Sequence, residues 1–311
     1  MPGVKMTADG IRLVTRDTEP NEGDVRVTVV SSGICGSDLH LASMGPSWAV
    51  LGHEFSGTLD DGTPVAVLPV VRCGTCDRCL AGDEQQCRNA LGAMYGVSLD
   101  GGLADEAWVD PSCAVPLPDG LAVDHANLVE PLAVALHGVH RAGVADGMRV
   151  LVLGAGPVGL CTVAAAVDIG AVVDLEGRRP SRISAGQRLG ASLAVGSDYD
   201  VVLDAAGTQS SLDRATETAR PGGTIGILGT YWHPVELGLS FQMKELTLLP
   251  SFTYGHHHGD NEFAEATRLL RAVPELPGAL ITHRFGLEDA AEAFRVAADR
   301  TADPIKVVVH P

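Results

Sequence analysis

Val150-Leu-Val-Leu-Gly154-Ala-Gly156-Pro157-Val158-Gly159-Leu160 is the stretch that decides the fold: an apolar run, a glycine turn and the opening of a helix. Glycines at 154, 156 and 159 let the backbone turn tightly after a strand. They also let it approach a pyrophosphate at the start of the helix Val158 to Ile169, where amide groups and the dipole favour an anion. The triplet carries weight because a strand precedes it and a helix follows. Val150 to Val167 is also an uncharged run of 18 residues, about the length of a membrane span. The glycines and Pro157 in its middle turn that reading into strand, turn and helix.

Working outward, Gly147 to about Thr230 alternates strand-like segments (Arg149 to Leu153, Asp200 to Asp204, Thr224 to Leu228) with helix-like ones (Val158 to Ile169, Ser210 to Ala219). That alternation is the signature of an α/β domain with a parallel sheet and crossover helices. Upstream, short β-branched strands such as Asp24 to Val30 and Thr63 to Leu68 are separated by Gly, Pro and Asp and predict a mostly β domain. Downstream, Asp260 to Val309 returns to helix and strand. One step of the alternation is short. Between Ser192-Leu-Ala-Val195 and Asp200 only Gly196 to Tyr199 remain, whereas a parallel crossover needs about a dozen residues. One helix is therefore expected to be absent, and one strand missing or rearranged.

An acidic residue at the end of the second strand would bind a ribose 2′-hydroxyl, and an arginine there would accept a 2′-phosphate. Counting on from Gly170-Ala171 places that position at Gly177, followed by Arg178 and Arg179, with Arg182 further along the next helix. A small residue followed by guanidinium groups favours NADP over NAD. Glu176, one place earlier, would restore the carboxylate if the register slipped by one.

Cys73-Gly-Thr-Cys76-Asp-Arg-Cys79, then Cys87, sets four thiols close enough to enclose a tetrahedral zinc with no open position, the mark of a structural site. A second set is mixed. Gly33-Ile-Cys35-Gly-Ser37-Asp38-Leu-His40, Gly52-His53-Glu54 and Glu130-Pro131 offer sulfur, imidazole and carboxylate from separated segments, as a catalytic zinc with an open position requires. Taken singly, Cys35 reads as a small hydrophobe, His53 as a core histidine and Glu130 as a helix N-terminal charge. Trp48 and Tyr95 are candidates to line a substrate pocket. Cys113 and Cys161, in apolar surroundings, read as packing residues, and His256-His257-His258, between glycines, as a solvated loop.

With 39 acidic and 22 basic side chains among 311 residues, the net charge of −17 opposes attraction to nucleic acid or to anionic lipid. Met1 to Asp9 lacks a basic start followed by an apolar stretch, which predicts no secretory signal and a cytoplasmic location. Seven cysteines there point to metal and packing before disulfides.

Together these motifs resemble the zinc-dependent medium-chain alcohol dehydrogenase family, in particular its polyol branch of sorbitol, threonine and butanediol dehydrogenases. The resemblance extends to Leu280-Ile-Thr-His-Arg-Phe285 and Glu288 to Phe294. It implies a GroES-like β-rich catalytic domain with a zinc lobe (residues 1–131), a Rossmann-type doubly wound parallel sheet (132–254), trimmed here by one helix, and a C-terminal segment (255–311) completing the catalytic domain. It further implies a catalytic zinc on Cys35 and His53, with Glu54 as ligand or close partner and Glu130 at or near the remaining position. Ser37 and His40 would be the proton relay, Gly154, Gly156, Pro157, Val158 and Gly159 the cofactor turn, and Cys73, Cys76, Cys79 and Cys87 a second zinc site. The expected partner is a small alcohol or ketone, with no nucleic acid or membrane, in a homodimer or homotetramer. A zinc-independent reductase on this scaffold and a non-catalytic cofactor-sensing protein are the competing readings. Against the family pattern the chain is abbreviated between His40 and Gly52, at Gly57 to Thr63, and before Asp200.

Overall fold

The β-branched strands Val25–Ile34 and Glu54–Leu59 pair antiparallel, with Gly33 opposite Glu54, and Lys306–His310 joins on the other side, with Val307 opposite Ile34. The computed structural model describes residues 1–16 and 19–311. These strands lie at the centre of a 7-stranded sheet running Ile281–Gly286, Lys306–His310, Val25–Ile34, Glu54–Leu59, Pro64–Val67, Ala114–Pro116, with Glu106–Val109 also paired to Val25–Ile34. Val27, Val29, Phe55, Val65, Val67 and Val309 are buried, as β-branched and aromatic residues on a pleated surface should be. The register decides what the sheet presents, because Cys35 follows the end of one strand, Glu54 begins the next and Lys306 begins a third. Gly33 makes that close approach possible, since a Cβ there would come 2.2 Å from Glu54 Oε2.

The chain divides into two compact units. One comprises Met1–Glu130, Gly259–Ala272 and Ile281–Pro311, and the other Pro131–His258 and Val273–Leu280. The first boundary lies one residue from the expected one. Gly259–Ala272 belongs to the β-rich unit, and Val273–Leu280 to the second. The reason is packing: the helix Glu275–Leu280 buries Leu276, Ala279 and Leu280 and lies against the helices Pro157–Asp168 and Pro180–Arg188.

The second unit is built on a 5-stranded parallel sheet ordered Thr247–Pro250, Ala219–Ile227, Tyr199–Asp204, Arg149–Leu153, Val172–Glu176. Pro157–Asp168 packs against Arg149–Leu153 and Val172–Glu176, and Gln209–Thr218 against Tyr199–Asp204 and Ala219–Ile227. No helix among the described residues is long and apolar enough to cross a membrane; the uncharged run is a strand, a turn and this 12-residue helix.

The trimmed crossover is visible. Ser192 makes a single bridge to Asp174, residues 193–198 leave the sheet without a helix, and the chain re-enters at Tyr199. Side chains hold the short link. The Tyr199 hydroxyl donates to Asp174 Oδ2 at 2.6 Å and accepts from the Gly196 amide at 2.8 Å. Arg149 lies over the Tyr199 ring at 4.9 Å and donates to the Ser197 carbonyl at 2.9 Å. Tyr199→Phe strips the buried Asp174 of this donor, so we expect a loss of about 1–3 kcal/mol in chemical denaturation. A loss below about 0.5 kcal/mol, the range of ordinary surface changes, would show that the link does not depend on this hydrogen bond.

Candidate metal centre and cofactor turn

Cys35 stands at the N-cap of the helix Gly36–Met44 and shares a capping box with Asp38, whose Oδ2 accepts from the Cys35 amide at 2.9 Å. This fixes Asp38 beneath the histidine: His53 Nδ1 lies 3.2 Å from Asp38 Oδ1, and His53 Nε2 lies 3.4 Å from Ser37 Oγ. Gly52, which precedes His53, has φ 92, and a Cβ there would meet Ser32 Oγ at 2.7 Å and Leu103 at 2.8 Å, so the sharp entry requires glycine. Ligand atoms of Cys35, His53 and Glu54 lie within 4.8 Å of one another.

Glu54 is engaged on both oxygens. Lys306 Nζ donates to Oε1 at 2.7 Å and also to Oε2, and reaches the Ile34 carbonyl at 3.2 Å. Both side chains are 1 % exposed. Glu130, in the first turn of the helix Val129–Arg141, is 9 % exposed and lies outside the tight three-group cluster, yet it feels the charges of His53, Glu54, Lys306 and Asp38. Burial, with Glu54 and Asp38 adding to it, pushes its carboxyl up to about 7 against the pull of His53 and Lys306. Burial works against a charged imidazole at His53, but the Asp38 carboxylate and the Cys35 thiol outweigh it and hold the ring well above its ordinary range.

A thiol, an imidazole backed by a carboxylate and a buried second carboxylate fit a zinc ion. Asp38 on Nδ1 leaves Nε2 for the metal, the arrangement that orients metal-binding histidines. Cys35, His53 and Glu54 are the groups brought together to hold it, with Glu130 beside them. Both oxygens of Glu54 also accept from Lys306.

The four-cysteine lobe also fits zinc. Sulfurs of Cys73, Cys76, Cys79 and Cys87 lie within 4.8 Å of one another, and all seven cysteines of the chain are free thiols. Backbone amides shape the cage: Cys76 N donates to Cys73 Sγ at 3.4 Å and Cys73 N to Cys87 Sγ at 3.5 Å. Amides at Thr75 and Cys76 bring Cys73 down to about 6, while burial and neighbouring thiols push Cys79 up to about 12. Four thiolates at this spacing repel one another unless a cation lies between them.

In the glycine turn, Gly154 has φ 102 and a Cβ on Gly159 would come 1.8 Å from the Gly154 carbonyl. Gly156 is the N-cap and Pro157 the first residue of the helix, with Val158 next. The strand Val172–Glu176 ends at Glu176, opposite Leu153, one residue before the expected Gly177, and the Glu176 carboxylate accepts from Arg214 Nε at 2.9 Å. Gly177 faces the turn instead, because a Cβ there would come 2.9 Å from Ala155 Cβ. Arg178 is exposed, Arg179 is the N-cap of the helix Pro180–Arg188, and Arg182 lies in that helix's first turn.

Other expectations fall differently. Trp48 is 93 % exposed. Tyr95 is 5 % exposed, and its hydroxyl accepts from the Asp110 amide at 2.8 Å, so it packs inside the β-rich unit. Cys113 and Cys161 are buried. His257 is not solvated as a loop residue would be, for its ring stacks on that of His140. Asp38 and Lys306 escaped the sequence reading, although a lysine inside the apolar strand Ile305-Lys-Val-Val-Val309 was a signal that a buried partner awaits it.

The raised Glu130 and His53 give metal-free protein a definite pH dependence. A group raised in the folded state contributes stability below its unfolded value and loses it as pH rises through the folded one. For Glu130 that window runs from the ordinary 4.5 to about 7. Chelator-stripped protein is therefore expected to melt at lower temperature at pH 8 than at pH 5, and Glu130→Gln to reduce that drop. Equal pH slopes in the two proteins would contradict this assignment.

Comparison with known proteins agrees with this geometry. The alcohol dehydrogenase GroES-like domain family matches residues 21–119, and the zinc-binding dehydrogenase family matches residues 157–272. Galactitol 1-phosphate 5-dehydrogenase of Escherichia coli K12 is 30% identical over 100% of both chains. A zinc-binding dehydrogenase of Sinorhizobium meliloti 1021, solved bound to NADP, is 30% identical with a TM-score of 0.86, covering 100% of this chain and 99% of its own. An alcohol dehydrogenase of Escherichia coli CFT073, solved with NADH, is 29% identical with a TM-score of 0.88 over 100% and 99%. The chain belongs to the zinc-binding medium-chain dehydrogenases related to polyol dehydrogenases, and it is an NAD(P)-dependent oxidoreductase of the zinc alcohol dehydrogenase type.

Proposed function

We propose that this enzyme interconverts a polyol-like or secondary alcohol and the matching ketone or aldehyde, with NADP preferred over NAD. The observation that carries the reading is the buried cluster of Cys35, His53 and Glu54 with Glu130 beside it. When bound, zinc supplies the positive charge that makes an alcohol hydroxyl acidic near neutral pH, and the nicotinamide exchanges the hydride. The chain's own residues do the rest. Cys35, His53 and Glu54, with Glu130 beside them, hold the metal, and Asp38 keeps the His53 ring in place. Ser37 Oγ, 3.4 Å from His53 Nε2, takes the hydroxyl proton, and His40, three residues further along the same helix, passes it outward. Carboxylate at Glu130, where other branches carry cysteine, supports a polyol-like substrate.

The NADP preference is supported by Gly177 facing the turn, by the engagement of Glu176 with Arg214, and by Arg178, Arg179 and Arg182 nearby. Exposed Trp232, Leu237, Leu239, Met243 and Phe252 support a homodimer or homotetramer, and free thiols throughout support a cytoplasmic location.

Two measurements on one preparation test this reading. NADPH should bind about tenfold or more tightly than NADH, the equivalent of one charge-assisted hydrogen bond. Cys35→Ser should lose turnover on a panel of polyols and ketones while keeping NADPH affinity. Tighter NADH binding would overturn the cofactor preference, and unchanged turnover the role of Cys35.

A further inference from the structure

His140 lies in the last turn of the helix Val129–Arg141, and the loop Gly255-His256-His257-His258-Gly259 brings a second imidazole onto it. The rings of His140 and His257 have centroids 3.8 Å apart and planes 12° from parallel. The His258 ring follows at 4.1 Å from His257, tilted by 59°. Ligating nitrogens of His140 and His257 come within 4.8 Å. His258 has φ 50, in the left-handed region that side chains other than glycine, asparagine and aspartate seldom adopt. Three imidazoles thus gather beyond a helix end, one of them in a backbone conformation that carries strain.

Imidazole without thiolate or a dense carboxylate shell is the donor for borderline divalent cations, zinc, nickel and copper, and discriminates against magnesium and calcium. We propose that His140 and His257, with His258 completing the group, bind such a cation at a site separate from the two that contain cysteine. The stacked planes let a cation lie in the plane of only one of the two rings, so binding turns one ring about its side-chain torsions. The exposed, tilted His258 then reaches the same ion from the loop side. With two or three neutral nitrogens and no thiolate, this site exchanges metal readily, unlike the four-cysteine cage.

The test is calorimetric titration of Ni2+ into full-length protein dialysed against metal-free buffer, with the zinc in the cysteine-containing sites counted before and after. Uptake at an additional site is expected. His257→Gln and His140→Ala should each weaken that uptake about tenfold or more, a loss of the size seen when support for a metal ligand is removed. His233→Ala, an exposed histidine of the same unit, serves as the control for adventitious binding and should leave it unchanged. His257→Gln keeps a polar side chain of similar size outside the helix, so it decides the matter even if His140→Ala disturbs the helix. No nickel uptake beyond displaced zinc, or equal uptake by parent and both variants, overturns the proposal.

Discussion

The ion pair between Lys306 and Glu54 sets the terms for the rest of the β-rich unit. Both side chains are 1 % exposed, and a charged pair removed from water so completely is offset only by good geometry and further hydrogen bonds. Lys306 supplies them, donating to both carboxylate oxygens and to the Ile34 carbonyl. The pair can form because three strands bring their ends together in one register, and because Gly33 leaves room for the carboxylate. Around it stand the carboxyl groups of Asp38 and Glu130, the His53 imidazole and the Cys35 thiol. Burial is what chiefly raises Glu130, whereas Asp38 and Cys35 raise His53, and a cation among these groups would relieve both.

A second economy appears in the cofactor unit. Losing a crossover helix would leave a polar strand end and an uncovered loop. Tyr199, Asp174 and Arg149 close the gap with one buried hydrogen bond, a stacked guanidinium and an amide. The glycine turn sits on the strands Arg149–Leu153 and Val172–Glu176, which pair along their full length, so the deletion spares the place where phosphates would bind.

Much of this was legible in the sequence, for reasons that differ by element. The glycine turn and the four-cysteine lobe are local: their chemistry depends on spacing within about a dozen residues, and spacing is what a sequence records. The catalytic set was legible only as a combination, since Cys35, His53 and Glu130 each have a bland reading alone. The missing helix announced itself by length. What stayed hidden depends on register between distant segments. Lys306 meets Glu54 across 252 positions, His257 meets His140 through a segment that looked merely polar, and Glu176 meets Arg214 from the end of a neighbouring strand.

The most direct test of the account is the zinc content of purified, dialysed protein, measured by elemental analysis before and after brief treatment with a chelator. Two zinc ions per chain, one of them removed together with activity and restored by added zinc, is the predicted result. A single chelator-resistant zinc in a fully active enzyme, unchanged when zinc is added back, would mean that Cys35, His53, Glu54 and Glu130 hold no metal.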